Sequence, residues 1–213
     1  MVYDRIVSLG SACEPAYQIR SHTGKSEADY FDWLITPAES LITAIETDFS
    51  GFDNKQDFVI TEDKGSVINN RTKIEYRHSF PRGSDGLIRD DFLTSFSEYE
   101  ARTAYLLGRW RSNFSRPGRV LFIRRDITLE EVERLSRAIQ DAYPQVQAKI
   151  LVVASDDYES LTTVPGVSFA HIPGHTGDGL GQPEAWRRKF IQLGLVAPSA
   201  PTLDFKGEIP PDH

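Results

Sequence analysis

The second half of the chain alternates short apolar segments with segments of helical periodicity, and this alternation constrains the fold most. Apolar runs at 119–124, 149–154 and 167–172 predict buried strands. Helical spacing predicts helices over about 128–143 and 183–193. Continuous apolar strands separated by helices are typical of a parallel sheet that is covered on both faces. We therefore expect an α/β fold, built as a single three-layer domain with a mainly parallel sheet.

The first half follows the same plan but carries an insertion. Residues 5–9 predict a strand and residues 12–21 a helix. Around residues 55–90, short alternating apolar segments bounded by Asp, Gly and Asn predict a small β insertion. We expect the α/β domain to span residues 1–198 and an irregular, proline-rich tail to span 199–213.

Two segments carry the pattern of a helix capping box. Thr36 precedes Pro37 and lies three residues before Glu39, and Thr128 lies three residues before Glu131. The spacing predicts helices that start just after Thr36 and Thr128. From Asp91 onward, apolar residues at steps of three or four predict a long helix that ends before Pro117.

The composition limits the classes of function. With 39% hydrophobic and 26% charged residues, the chain is typical of a soluble globular protein. Its net charge of −7 does not favour nucleic acid as a partner. No apolar run approaches the roughly 20 residues that span a bilayer, so we expect no membrane partner. With one cysteine and no visible signal peptide, we expect a cytoplasmic protein, whose oligomeric state stays open.

The single cysteine, Cys13, follows the first predicted strand and opens the first predicted helix. The N-terminus of a helix presents unpaired N–H groups and a partial positive charge, which lower the pKa of a thiol. Cys13 is therefore a candidate nucleophile, although free cysteines often only pack in the core. Because carboxyl ends of parallel strands share one edge of the sheet, we expect Ser8, Gly10 and Cys13 to border a cleft with Arg124.

A thiol nucleophile needs a base, and His78 is the best placed candidate since it follows an alternating strand and precedes a loop. Asp32 is set among aromatic residues and is a candidate either to orient a histidine or to fix a loop. Arg124 could bind an anionic group or pair with neighbouring acids. The glycine-rich loop 174–183 could be a mobile active-site loop or an ordinary surface loop. No Cys/His cluster has zinc spacing, and we expect neither a metal nor a cofactor.

These motifs together resemble a known family. Ser8-Leu9-Gly10-Ser11-Ala12-Cys13, followed by Phe31-Asp32-Trp33 and His78-Ser79-Phe80, is similar to a mainly bacterial, uncharacterised family of papain-like cysteine peptidases. The resemblance implies Cys13 as the nucleophile and His78 as the base, with Asp32 as the third member. The family often has Asp directly after the histidine, where this chain has Ser79. A papain-like α+β fold, with the histidine on an antiparallel sheet, is the alternative that the resemblance implies.

Three functions stay open at this stage. The first is a cysteine hydrolase or acyltransferase that acts on an acyl or amide group of a small molecule, or of a peptide- or glycan-linked substrate. The second is a non-catalytic module that binds a small polar ligand containing sugar or phosphate. The third is a serine esterase-like α/β hydrolase that uses Ser8 or Ser11. The expected substrate-binding residues are Ser8, Gly10, Ser11, Trp33, Arg124 and Asp178.

Overall fold

A computed structural model describes residues 3–155, 164–174 and 180–202, which form eight strands and five α-helices. The strands are β1 (Arg5–Ser8), β2 (Leu34–Ile35), β3 (Phe58–Ile60), β4 (Val67–Asn69), β5 (Glu75–Tyr76), β6 (Gly118–Arg125), β7 (Val146–Ala154) and β8 (Val167–His171). The helices are α1 (Glu14–Thr23), α2 (Ala38–Glu46), α3 (Phe96–Phe114), α4 (Leu129–Ala142) and α5 (Pro183–Gln192). A 3₁₀ turn over Phe92–Ser95 leads into α3.

The main sheet has the strand order β1-β6-β7-β8, and every pair in it is parallel. Alternate residues of its central strands face opposite sides, as the pleat requires. Val120 and Phe122 share a core with α2, α3 and α4. Leu121 and Ile123 instead pack against Trp186 of α5 and residues of α1. The predicted three-layer α/β arrangement is confirmed, and the α+β alternative is wrong for the molecule as a whole.

A second, smaller sheet is antiparallel, with the order β2-β5-β4-β3. Its buried residues belong to the same core as α3. The rings of Phe58 and Tyr76 pack against the ring of Tyr99 in α3, with centroids 5.2 and 5.6 Å apart. The small sheet starts at β2, ahead of the insertion predicted at 55–90. The division into a domain over 1–198 and a tail over 199–213 stays a prediction.

Several predicted boundaries shift for identifiable reasons. The Thr128 capping box forms, with Glu131 as its partner, and α4 starts where the sequence predicts. The Thr36 box does not form, since α2 begins at Ala38 without a side-chain cap. The alternating segment 73–78 also predicts a strand, but β5 begins only at Glu75, because Lys73 adopts a left-handed φ of 59°, outside the β region.

The sequence also predicts a helix or turn at 156–161, which lies outside the described residues, as do residues 175–179 of the glycine-rich loop. Among the described residues, no helix combines the length and apolar character needed to cross a membrane.

Candidate active site

Cys13 lies at the end of a tight turn that connects β1 to α1. Gly10 and Ser11 take left-handed φ values of 71° and 81°, and the Gly10 N–H donates to Ser8 Oγ over 3.3 Å. Cys13 is the N-cap residue of α1 and is partly exposed. A left-handed φ at a non-glycine residue such as Ser11 stores strain, and such residues cluster at functional sites.

The turn occupies the position at which α/β sheets usually bind ligands. The helix that follows β1 packs on one face of the sheet, through Ile19, whereas the helix that follows β6 packs on the other, through Val132. The helices that follow β1 and β6 thus depart to opposite faces at the carboxyl ends of these strands, which is where ligands bind in open α/β sheets. Ser8, Gly10 and Cys13 lie at this edge, and a cleft bordered by them stays a prediction.

The same turn packs against the small sheet. A Cβ atom at Gly10 would lie 2.9 Å from Thr36 Oγ1 and 3.3 Å from the Leu34 carbonyl oxygen. Only glycine allows this approach, so the turn rests directly on β2 and the residue that follows it. Since Leu34 pairs with Tyr76 and Ile35 with Glu75, the turn is one strand away from β5.

β5 leads directly into Arg77 and His78. The His78 ring meets the Trp33 indole edge-on, with ring centroids 6.5 Å apart. The charges of Arg77 and Glu75 both act on the Cys13 thiol. The structure therefore places Cys13 close to the segment that leads from β5 to His78. Within the described residues, Cys13 and His78 are not hydrogen-bonded to each other.

Burial and nearby charges shift the pKa values of both Cys13 and His78, and the shift at Cys13 is opposite to the one expected at the N-terminus of a helix. Burial raises the pKa of the Cys13 thiol; the positive charge of Arg77 lowers it, and the negative charges of Asp32 and Glu75 raise it further. The sequence-based prediction of a lowered pKa is wrong, because desolvation outweighs the helix N-terminus here. Partial burial lowers the pKa of His78, and the charges of Arg82 and Arg77 add to this, although part of the ring stays exposed.

Asp32 is buried and bonded away from the histidine. Its carboxylate accepts hydrogen bonds from the Asp29 N–H at 2.9 Å and from Arg20 Nη2 at 3.4 Å. Burial raises its pKa to about 6, and the nearby charge of Asp29 contributes to the rise. These contacts fit the loop-fixing alternative, while a role of Asp32 in orienting His78 stays a prediction.

Arg124 is buried at the carboxyl end of β6. Its guanidinium donates to the Leu9 carbonyl at 2.9 Å and to the Thr36 carbonyl at 2.7 Å. The Arg124 side chain thereby joins the turn that ends in Cys13 to the segment after β2. These contacts describe a bridge between two segments, and direct binding of an anionic substrate by Arg124 stays a prediction.

The other predicted binding residues take different positions. Ser8 is fully buried, whereas Ser11 and Trp33 are partly exposed. The Ser11 hydroxyl and the Trp33 indole N–H each lack a hydrogen-bond partner among the described residues. Asp178 lies outside the described residues.

Sequence reasoning missed Arg20, which connects several of these groups. Its guanidinium lies over the Trp33 ring, 5.4 Å from the centroid, in addition to its contact with Asp32. Arg20 is seven residues after Cys13, so both project from one side of α1. The spacing of seven residues is the sequence signal that places Arg20 on the same side of α1 as Cys13. A surface arginine can have the same spacing, so this signal does not identify Arg20 as part of the site.

A cavity of about 30 Å³ opens beside His78, with Trp33, Leu34 and Leu106 in its wall. This is room for about one water molecule. A larger cavity of about 460 Å³ lies along β1 and contains none of Cys13, His78 and Asp32. In the part of the chain that the structure describes, no group of three or more His, Cys, Asp or Glu side chains could hold a metal ion.

Fold and site together define an α/β protein with a cysteine at the carboxyl edge of a parallel sheet and a histidine two residues after a strand of an adjoining antiparallel sheet. A family model described as "Putative papain-like cysteine peptidase (DUF1796)" matches residues 4–157. The chain belongs to this family, which confirms the resemblance read from the motifs. Searches of the curated proteins and of the solved structures each found no match.

Proposed function

We propose that this protein is a cysteine-nucleophile hydrolase or acyltransferase that acts on an acyl or amide group. The observation that carries the proposal is the junction of the two sheets, where the turn ending in Cys13 packs on β2 and the paired strand β5 leads into His78. The single cysteine fits a reducing compartment, and we propose the cytoplasm. The substrate is a small molecule or is linked to a peptide or glycan.

Proton transfer comes first in the proposed reaction. The raised pKa of Cys13 keeps its thiol protonated near neutral pH, and the lowered pKa of His78 keeps its imidazole neutral. His78 therefore takes the thiol proton as the Cys13 sulfur attacks the carbonyl carbon. The new S–C bond forms while the carbonyl π electrons move onto oxygen.

The resulting oxyanion needs donors close to the sulfur. Within the described residues, the N–H groups of Ala12 and Cys13 donate to no other group. At the start of a helix such N–H groups stabilise negative charge. When the intermediate collapses, the leaving amine or alcohol takes the proton from His78. Water or a second nucleophile then attacks the thioester and frees Cys13.

The free protein holds the thiol and the imidazole without a hydrogen bond between them. Catalytic hydrogen bonds are often long or absent until substrate binds. We therefore propose that the pair closes on the substrate, with the partly exposed His78 as the group that moves.

The test is turnover of a panel of fluorogenic acyl esters and peptide amides by wild-type and variant proteins. Cys13→Ala should lower turnover by roughly three orders of magnitude or more, because it removes the nucleophile. His78→Gln should lower it by about 10²- to 10⁴-fold, the usual contribution of a general base. Turnover should fall as the pH drops below the pKa of His78, since a protonated imidazole cannot accept the thiol proton.

Ser11→Ala is the matched control, because it changes a neighbouring side chain in the same turn. It should lower turnover by less than about tenfold, since the Ser11 hydroxyl is a predicted substrate contact and takes no part in proton transfer or bond formation. Activity that survives Cys13→Ala but not Ser11→Ala would support the serine esterase alternative. Absence of turnover, together with calorimetric binding of a sugar phosphate that Cys13→Ala leaves intact, would support the binding module.

A further inference from the structure

A fully buried ion pair joins the residue after Cys13 to the end of the neighbouring strand. Arg125 Nη1, on the last residue of β6, donates to Glu14 Oε1 over 3.0 Å. The exposed fractions of the two side chains are 1% and 0%. Glu14 is the first residue of α1. Buried ion pairs lose solvation, so a pair in this position needs further hydrogen bonds to be retained.

Those bonds come from several separate elements. Trp186 Nε1 of α5 donates to the same Glu14 oxygen over 2.7 Å. Arg125 also donates to the Ile172 carbonyl at 2.9 Å and to Ser155 Oγ at 3.0 Å, and it lies 3.4 Å from the Asp126 carboxylate. The pair therefore ties the start of α1 to the ends of three strands of the main sheet and to α5.

The segment just before α5 packs closely against the Glu14 carboxylate. Gly181 has a left-handed φ of 84°, and a Cβ atom there would collide with the Glu14 side chain. One turn along α1, Gln18 donates to the Leu180 carbonyl over 2.6 Å. The approach of this segment to Glu14 requires glycine.

The first turn of α1 has no side-chain cap. Cys13, the N-cap residue, makes no side-chain capping hydrogen bond, and Pro15 has no N–H to donate. The helix begins with the backbone bond from the Tyr17 N–H to the Cys13 carbonyl. An uncapped helix end frays unless other contacts fix it.

We propose that Glu14 and Arg125 are a pair of positioning residues for Cys13, which fix the first turn of α1 while their opposite charges offset each other beside the adjacent thiol. This inference rests on the proposed role of Cys13 as a nucleophile. The groups whose charges act on the thiol are Arg77, Asp32 and Glu75. Replacing one partner of the pair changes the charge near the thiol by one unit, and the sign of the change depends on which partner is replaced.

The experiment is the rate of Cys13 alkylation by iodoacetamide against pH, which needs no substrate and reads one site because the chain has a single cysteine. Glu14→Gln removes one negative charge beside the first turn of α1 and should move the labelling midpoint down by about half a pH unit. Arg125→Gln removes one positive charge there and should move it up by about as much, roughly a threefold change in rate at fixed pH. The double variant should return the midpoint close to the wild-type value.

Two variants separate this effect from a loss of structure. Trp186→Phe disturbs the same contacts without changing a charge, and Arg134→Gln breaks the exposed pair with Glu39. Both should leave the midpoint unchanged. Shifts of the same direction in Glu14→Gln and Arg125→Gln, or no shift in either, would overturn the proposal. Should Arg125→Gln fail to fold, Glu14→Gln alone decides, since only a lower midpoint supports the pair. Failure of the proposed hydrolase function would instead appear as absent turnover with these midpoint shifts intact.

Discussion

At the scale of single residues, Gly10 shows how backbone conformation and side-chain volume combine at one position. Its φ of 71° is unfavourable for any residue with a Cβ atom, and the space around it is closed by Thr36 and Leu34. The positive φ belongs to the turn that ends in Cys13, and the closed space comes from the contact of this turn with Leu34 and Thr36. The position therefore couples the shape of the turn to the packing of the small sheet.

Gly10→Ala should destabilise the protein by about 2–4 kcal/mol, since it adds overpacking to the conformational cost. Gly86→Ala is the matched control, because Gly86 has a similar φ of 79° and open space around it. It should cost only about 1 kcal/mol. Urea unfolding of the two variants measures the difference, and equal losses would show that the contact with Thr36 has no energetic weight.

At the scale of elements, two threonines with the same sequence signal behave differently. Thr128 accepts a bond from the Glu131 N–H, and the Glu131 carboxylate accepts one from the Thr128 N–H at 2.9 Å. The Thr36 hydroxyl is buried without a hydrogen-bond partner among the described residues. The capping signal is therefore used at α4 and lost at α2, because Thr36 lies against the Gly10 turn.

The substitution of Val for Thr, which keeps the shape of the side chain, should separate the two positions. Thr128→Val should destabilise the protein by about 1 kcal/mol, the usual value of an N-cap. Thr36→Val should leave stability unchanged or raise it slightly, since it replaces an unpartnered buried hydroxyl with a methyl group. Thermal unfolding of both variants is the measurement. A larger loss for Thr36→Val than for Thr128→Val would contradict the assignment.

At the scale of the whole molecule, the buried Asp32 makes stability depend on pH. Its pKa in the folded protein is raised to about 6 from an ordinary value of 3.8, mainly by burial. The folded state therefore binds this proton more tightly than the unfolded state does. The contribution of Asp32 to the free energy of unfolding is therefore full at pH values below about 4, and it is lost as the pH rises from about 4 to about 6.

Wild-type protein should lose about 2 kcal/mol relative to Asp32→Asn as the pH rises from 4 to 7, because asparagine does not titrate. The measurement is the free energy of unfolding of both proteins in urea at the two pH values. Glu39→Gln is a control of opposite sign, since the hydrogen bond from Arg134 lowers the pKa of Glu39 and its contribution is lost as the pH falls. A constant difference between wild type and Asp32→Asn would contradict the raised pKa.

Much of the main sheet could be predicted from local pattern. The strands β6, β7 and β8 and the helices α3, α4 and α5 follow from apolar runs and helical spacing, because burial on one or both faces leaves a periodic trace in the sequence. The placement of Cys13 at the carboxyl edge follows from the same pattern and the parallel topology. In contrast, β2 has two residues and no periodicity. It nevertheless connects the turn that ends in Cys13 to β5, the strand that leads to His78.

The sequence by itself determined the α/β class, the family and the position of Cys13 between a strand and a helix, since these depend on local periodicity and on residues close in the chain. Only the tertiary structure decided that the Cys13 pKa is raised, that Asp32 bonds to Arg20, and that Arg124 and Arg125 join separate segments. The physical reason is that desolvation and ion pairing depend on groups far apart in sequence. Arg125 and Glu14 are 111 positions apart, and no local pattern encodes their contact.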